Sequence, residues 1–215
     1  MSTSGTTAPT WALRAHQVTD WVLWIMAVNL AWLAFTLLGG VVFGVAPATI
    51  AAAVLTRRRL AGDGFRFVSE FSSTWRREFL RANLVLLPVF AVAVLLGVNL
   101  ASFARLGMHL PAILSGVAFT IVAVVALVLV PLYAHYDLPL RRYATTALRF
   151  AVANPAAALL LAVTTVLIVG VTTVLPGLLP FVTVGAVLVS DTALGLAFFR
   201  TNDRRVLERG DPPDR

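Results

Sequence analysis

The chain has no cysteine and no lysine, and it carries few charges of either sign. Only 13% of its 215 residues are charged, whereas 59% are hydrophobic, and the mean hydropathy is +0.88. Soluble domains are about 45–50% apolar and about 25% charged, so the composition excludes a water-soluble protein. The lack of cysteine excludes a disulfide framework, a thiolate nucleophile and a cysteine-ligated metal site.

Five long apolar stretches dominate what is present. A helix needs roughly 20 residues to cross about 30 Å of hydrocarbon, and each stretch is close to that length. The sequence therefore predicts an all-α fold, a polytopic transmembrane helix bundle forming one integral membrane domain over residues 1–203. The predicted spans cover residues 21–43, 84–103, 112–133, 156–175 and 181–199. The uncharged segment 1–10 lacks the basic start of a cleaved signal peptide, so we expect the first span to direct insertion.

The segment 47–56 is apolar but too short to cross a membrane alone. Pro47 suits the first turn of a helix, where its missing N–H costs nothing. One interpretation is a half-helix after a single crossing, which gives five spans. The other is the return limb of a hairpin that turns at Gly39-Gly40, which gives six. We favour the half-helix.

Two segments between the spans, 65–82 and 138–153, have amphipathic patterns. In the first, aromatic residues recur every four positions while the arginines fall on the other side. Such a helix lies in the headgroup plane or packs on the ends of the bundle. We expect Phe71, Trp75 and Phe79, with Arg57, Arg58 and Arg59, to form an interface at the cytoplasmic side.

The arginines set the predicted orientation. The segment 57–81 carries seven of the 17, the segment 141–149 three and the C-terminal segment five. With five spans Arg14 and Arg105 stand on the other side, and with six spans Arg105 stands there alone, so the charges leave the side of the N-terminus open. Because positive loops stay inside, both amphipathic segments and the C-terminus are expected in the cytoplasm, with a disordered tail over 204–215. The same distribution argues against nucleic-acid binding, since no basic and aromatic module is present.

Polar residues within the spans are the candidate functional groups. Asp191 is a carboxylate well inside the fifth span, flanked by Ser190, and such acids usually face a bundle interior or water. It predicts either a proton, cation or polar-solute site, with Asn29 as a candidate partner, or a structural acid hydrogen-bonded to its neighbours. Asn29 equally suits an interhelical tie.

No catalytic set or metal site can be assembled. His135 and Asp137 stand two residues apart, but two ligands do not hold a metal without a third and fourth. No glycine-rich nucleotide loop is visible. We therefore expect a non-enzymatic protein without cofactor or metal.

The N-terminal third resembles the YesL family of bacterial membrane proteins, also called domain of unknown function 624. The matching residues are Asn29, Trp32, Gly39, Phe43-Gly44, Pro47-Ala48-Thr49, Phe71, Trp75, Phe79 and Ala82-Asn83. The resemblance implies a plasma-membrane protein of no established activity. Because such proteins are often encoded near sugar-uptake systems, it also implies an accessory role in carbohydrate transport.

Two functions follow as hypotheses. The first is an accessory or regulatory component that contacts membrane lipids and other membrane proteins, such as a sugar-uptake transporter. The second is a small oligomeric transporter or channel using Asp191; a faint repeat, in which Phe79 and Asn83 recur as Phe150 and Asn154, favours it because transporters are often built from repeats.

Overall fold

The computed structural model describes the backbone of residues 10–208 and the side chains of residues 16–178 and 180–201. This part of the chain contains helices and turns without a β-strand, which confirms the all-α fold. Its α-helices are α1 (Thr10–Leu38), α2 (Val42–Ala61), α3 (Phe67–Arg77), α4 (Phe79–Arg105), α5 (His109–His135), α6 (Tyr143–Ala153), α7 (Pro155–Val174) and α8 (Val184–Glu208).

Five of the helical segments are long and apolar enough to cross a membrane. They are His16–Leu38, Phe79–Arg105, His109–His135, Pro155–Val174 and Pro180–Thr201. Each contains or overlaps one predicted span, because length and hydropathy alone decide this property.

Helix α2 differs from its prediction. The predicted bounds 47–56 are corrected: α2 has 20 residues and packs back on α1 in a hairpin that turns at Gly39, Gly40 and Val41, while the candidate spans among the described residues number five, as predicted. At the open end of this hairpin the guanidinium of Arg59 lies over the rings of Trp21 and Trp24. The limbs are therefore antiparallel over most of their length.

The turn of this hairpin is strained. Val42 N–H donates to the Gly40 carbonyl oxygen at 2.7 Å, and Val41 between them has φ 61° and ψ −69°. These are the angles of the rare γ-turn with positive φ, which a β-branched residue adopts at a cost. Gly40, at φ 71°, adopts its own positive angle without that cost.

Helix α2 occupies the centre of the structure and is covered by α1, α3, α4, α5 and α8. Most residues of its first four turns are buried: Gly44, Ala46, Pro47, Ala48, Thr49, Ile50, Ala51, Ala52, Ala53, Leu55 and Thr56. Small residues suit this position because they let helix backbones approach closely. Hydropathy does not identify α2 as a span because any stretch of its 20 residues long enough to cross includes Arg57, Arg58 and Arg59.

The first amphipathic segment is divided between two helices. Helix α3 ends at Arg77, and Phe79 begins α4, so the predicted single helix over 65–82 is corrected. The aromatic row of α3 turns inward, where Phe71 is fully buried and packs on Phe35, and Trp75 contacts Phe35 as well. Phe71 therefore contacts the protein core instead of lipid or a partner.

Helices α4 and α5 form a long hairpin joined by a turn at Leu106–Met108. Its residues are buried only near one end, at Ala82, Val85, Leu86 and the run 128–134. A 3₁₀ turn, Leu140–Arg142, leads into α6, which packs against α5. The second amphipathic segment, predicted over 138–153, thus contains this turn and the helix.

Helices α7 and α8 complete the bundle and are joined by a 3₁₀ turn, Pro176–Leu178, and a π-helical segment, Leu179–Thr183. Helix α8 continues to Glu208, so the expectation of a disordered tail from 204 is corrected over residues 204–208. The remainder of that tail lies outside the described residues.

Candidate functional site

Pro47 and Asn83, two residues of the family pattern, together determine how the backbone carbonyl of Phe43 is hydrogen-bonded. Pro47 lies inside α2, not in its first turn, and its ring nitrogen cannot donate to the carbonyl oxygen of Phe43 four residues earlier. The side-chain amide of Asn83, in α4, donates to that oxygen at 2.9 Å and to the Phe79 carbonyl at 2.8 Å. Asn83 thus replaces the hydrogen bond that proline removes.

Three more residues of the pattern join α1 to α2. The indole N–H of Trp32 donates to the hydroxyl of Thr49 at 3.0 Å. Gly44 faces the backbone of Thr36 so closely that an added Cβ would lie 2.2 Å from the Thr36 carbonyl oxygen. The pattern therefore describes how the first two helices and the start of α4 fit together.

Asn29 acts as a tie between α1 and the start of α8. Its side-chain amide donates to the Pro180 carbonyl, and its Oδ1 accepts from the Gly185 N–H at 2.9 Å. These bonds satisfy backbone groups at the π-helical segment, where the regular ladder is interrupted. Both ends of the Asn29 amide are therefore engaged with backbone and not with Asp191.

Asp191 is buried, with 3% of its surface exposed. The hydroxyl of Thr165, in α7, lies 3.3 Å from one carboxyl oxygen and 3.4 Å from the other. The neighbouring Thr192 hydroxyl is buried without a hydrogen-bond partner among the described residues, and Ser190 is half-buried. Asp191 and Thr165 form the polar contact between α7 and α8, and this pair can hold or release a proton.

A second polar cluster was not predicted from the sequence. It lies in a cavity of about 310 Å³ where the end of α2, the start of α4 and the end of α5 meet. We call this region the arginine-rich end. Its charged and polar lining residues are Arg57, Arg77, Glu78, Arg81, Tyr133, His135, Tyr136, Asp137 and Tyr143.

Arg81 holds this cluster together. Its Nη2 donates to the carboxylate of Asp137, to the Leu138 carbonyl at 2.9 Å and to the Tyr143 hydroxyl at 3.4 Å. The guanidinium also lies 5.6 Å from the ring centre of Tyr133. These contacts link residues more than 50 positions apart, so no local spacing could have indicated them.

Glu78 and Tyr143 connect the remaining members. Glu78 accepts from the Tyr133 hydroxyl at 2.9 Å and from Arg77 Nε at 3.0 Å. The Tyr143 hydroxyl donates to the Tyr136 carbonyl and accepts from the Leu138 N–H. Burial raises the pKa of Tyr143 above its ordinary value, against the opposing effect of the Leu138 hydrogen bond, so the group is neutral and remains a donor.

The three consecutive arginines have different surroundings. Arg58 pairs with Glu70 at 2.9 Å, and Arg59 donates to the Asp20 carbonyl while covering two tryptophan rings. Arg57 lines the cavity and makes no hydrogen bond or ion pair with another described residue. Arg57 is therefore the member of the triplet with its guanidinium available to a ligand.

His135 and Asp137 separate into different contacts. The His135 ring stacks on Phe199 with centroids 5.7 Å apart, whereas Asp137 pairs with Arg81. No group of three potential metal ligands occurs within the described residues.

The region that contains the Trp32–Thr49 and Asn83–Phe43 contacts matches a known protein family. The family model for "protein of unknown function, DUF624" matches residues 25–100. Three uncharacterized proteins of Bacillus subtilis (strain 168) are similar to the chain. YesV is 35% identical over 168 residues, covering 74% of this chain and 79% of YesV. YteU is 28% identical over 177 residues, covering 81% and 80%, and YesL is 29% identical over 143 residues, covering 66% and 68%.

No solved structure matches the chain. The residues that carried the resemblance to the YesL family all lie within the range matched by the family model. With the DUF624 match and the identity shared with YesV over most of both chains, the protein belongs to the YesL-like DUF624 family.

Proposed function

We propose that the protein is a non-enzymatic accessory component of the bacterial plasma membrane, linked to carbohydrate uptake. The arginine count favours a cytoplasmic position for the arginine-rich end and the C-terminus. The link to carbohydrate uptake comes from the family resemblance. The proposed role is to hold or regulate another membrane protein and not to catalyse a reaction.

The observation that supports this proposal is how the polar side chains of the spans are used. Asn29, Asn83 and the Trp32–Thr49 pair each bond to a neighbouring helix. Such ties stabilise a fixed arrangement, with each bond contributing about 0.6–2 kcal/mol. Polar groups engaged in this way do not line a path across the membrane.

The outer face of α3 is the surface that we assign to a partner. Its aromatic side packs inward, while Arg66, Ser69, Ser73 and Arg76 are exposed. The serine hydroxyls at 72 and 73 donate to backbone carbonyls of the same helix. This leaves a positive surface that fits an acidic cytoplasmic segment of another membrane protein.

Affinity capture tests this role. The tagged full-length protein is purified in mild detergent from cells grown on a sugar, and transporter subunits that accompany it are identified. We expect the double variant R66Q/R76Q to lose those subunits, whereas R149Q, which removes an exposed arginine of α6, retains them. Equal recovery with all three proteins, or no transporter subunit with any, would refute the proposal.

A second candidate is a proton- or cation-coupled transporter using Asp191. The observation in its favour is the buried carboxyl group, whose hydrogen-bonding partner among the described residues is Thr165. Asp191→Asn preserves the shape and removes the charge. Ion or solute flux into proteoliposomes that stops in this variant, with the folded protein retained, would favour transport; absence of flux in the unaltered protein would exclude it.

A further inference from the structure

Two cavities of opposite polarity lie along the same three helices. The first is the cavity at the arginine-rich end, described above. The second, of about 420 Å³, is a groove lined almost entirely by apolar groups from α4, α5 and α6, among them Pro88, Val92, Ile121 and Leu148. Val92, Ile121 and Leu148 are each more than 40% exposed, so this groove opens to the outside of the bundle.

The two cavities are stacked along the helix axes. Arg81 of the first and Pro88 of the second are seven residues apart on α4, which places them on one face about 10 Å apart. Tyr143 and Ala144, consecutive in α6, each line one of the cavities. The headgroup region on each side of a bilayer is about 5–8 Å thick, so this offset suits a molecule with a polar head and an apolar chain.

The charge of the cavity at the arginine-rich end determines which lipid headgroup it can bind. Arg57, Arg77 and Arg81 supply three positive charges, and Glu78 and Asp137 supply two negative ones. Asp137 is paired with Arg81, and Glu78 with Arg77 and Tyr133, while Arg57 has no such partner among the described residues. One positive charge is left over, which a phosphodiester neutralises, whereas a phosphate monoester carries about −1.5 to −2.

We propose that this composite site binds one anionic glycerophospholipid, with the phosphodiester at Arg57 and one acyl chain in the groove beside Leu148. Arg57 follows the buried Thr56 near the end of α2 and donates to the phosphate oxygens. The groove covers the first part of the chain. Bound there, the lipid joins α2 to the α4–α5 hairpin and to α6.

Native mass spectrometry of the full-length protein in neutral detergent tests the site. Phosphatidylglycerol and phosphatidylcholine with identical acyl chains are offered separately, and the retained lipid is counted. We expect one phosphatidylglycerol to be retained at least about five-fold more strongly than phosphatidylcholine, the effect of one basic residue near an anionic group. Equal retention of the two lipids would overturn the proposal.

Variants locate the lipid. Arg57→Gln should remove the preference for phosphatidylglycerol, and Arg149→Gln, an exposed arginine outside both cavities, should keep it. If Arg57→Gln does not fold, Arg77→Gln replaces it, because that side chain is 67% exposed. A preference that survives these cavity variants would overturn the proposal.

Two further experiments distinguish a bound lipid from a bound free anion. Leu148→Ser should weaken phosphatidylglycerol retention, while Leu80→Ser, at a leucine outside the groove that is 76% exposed, should not. Inorganic phosphate in large excess should leave the lipid bound. Displacement by phosphate together with an ineffective Leu148→Ser would show a free-anion site and refute lipid binding.

Discussion

The shared carbonyl of Phe43 makes a double-mutant cycle possible at Pro47 and Asn83. In the native protein the carbonyl depends on the Asn83 side chain, because Pro47 has no N–H to offer. Asn83→Ala removes this bond and leaves a backbone oxygen without a partner. Pro47→Ala supplies the missing N–H from within α2, so the same oxygen is satisfied whether or not Asn83 is present.

The loss of stability expected for Asn83→Ala follows from these contacts. In the native Pro47 background we expect Asn83→Ala to cost about 1–2 kcal/mol, because a lost hydrogen bond is worth about 0.5–1.5 kcal/mol and the oxygen is then unpaired. The Asn83 Oδ1 is buried without a hydrogen-bond partner among the described residues, which offsets part of the loss. In the Pro47→Ala background the cost should fall by about 1 kcal/mol, the usual size of interhelical coupling in membranes.

Equilibrium unfolding in mixed micelles, followed by far-ultraviolet circular dichroism, measures the cycle. Asn154→Ala is the matched control, because the Asn154 amide donates to the Phe150 carbonyl four residues earlier, as Asn83 does to Phe79. Asn154 lies between α6 and α7, away from Pro47. Asn154→Ala should cost the same in both backgrounds. An Asn83→Ala cost that is unchanged by Pro47→Ala would refute the reasoning.

Three more substitutions test the packing. Gly44→Ala should destabilise by several kcal/mol, because its Cβ would meet the Thr36 carbonyl oxygen, whereas Gly170→Ala, with open space around it, should be neutral or stabilising by thermal unfolding in detergent. Val41→Gly should raise the free energy of unfolding by about 1 kcal/mol by relaxing the γ-turn; a decrease would contradict the strain. Tyr143→Phe should cost about 1–3 kcal/mol in the same assay, by removing the hydroxyl that accepts from the Leu138 N–H and donates to the Tyr136 carbonyl, and an unchanged midpoint would contradict this role.

The sequence predicted the features that depend on composition. Length and hydropathy located five apolar helices, and residues such as Trp32 and Asn83 indicated the family. Helix α2 was predicted too short because Pro47 was taken as its first turn and Arg57 as its end, whereas both residues lie inside the helix. Pro47 was expected at a helix start because nothing local shows that Asn83, 36 positions later, supplies its missing bond.

The candidate sites were less accessible to sequence reasoning. Asn29 and Asp191 are both polar groups within spans, but their partners depend on how α1, α7 and α8 pack. The cavity at the arginine-rich end unites residues from α2, α4, α5 and α6, and its Arg81–Asp137 pair joins positions 56 apart. Periodicity along one helix cannot show such contacts.

The central position of α2 constrains the order in which the protein can be assembled. The ribosome releases α2 long before α8, since the first ends at Ala61 and the second begins at Val184. Until α8 arrives, the part of α2 that contacts α8 has no permanent neighbour. A chain stopped after α7 would keep most of its apolar length and yet lack every contact that α8 makes with α1, α2, α5 and α7.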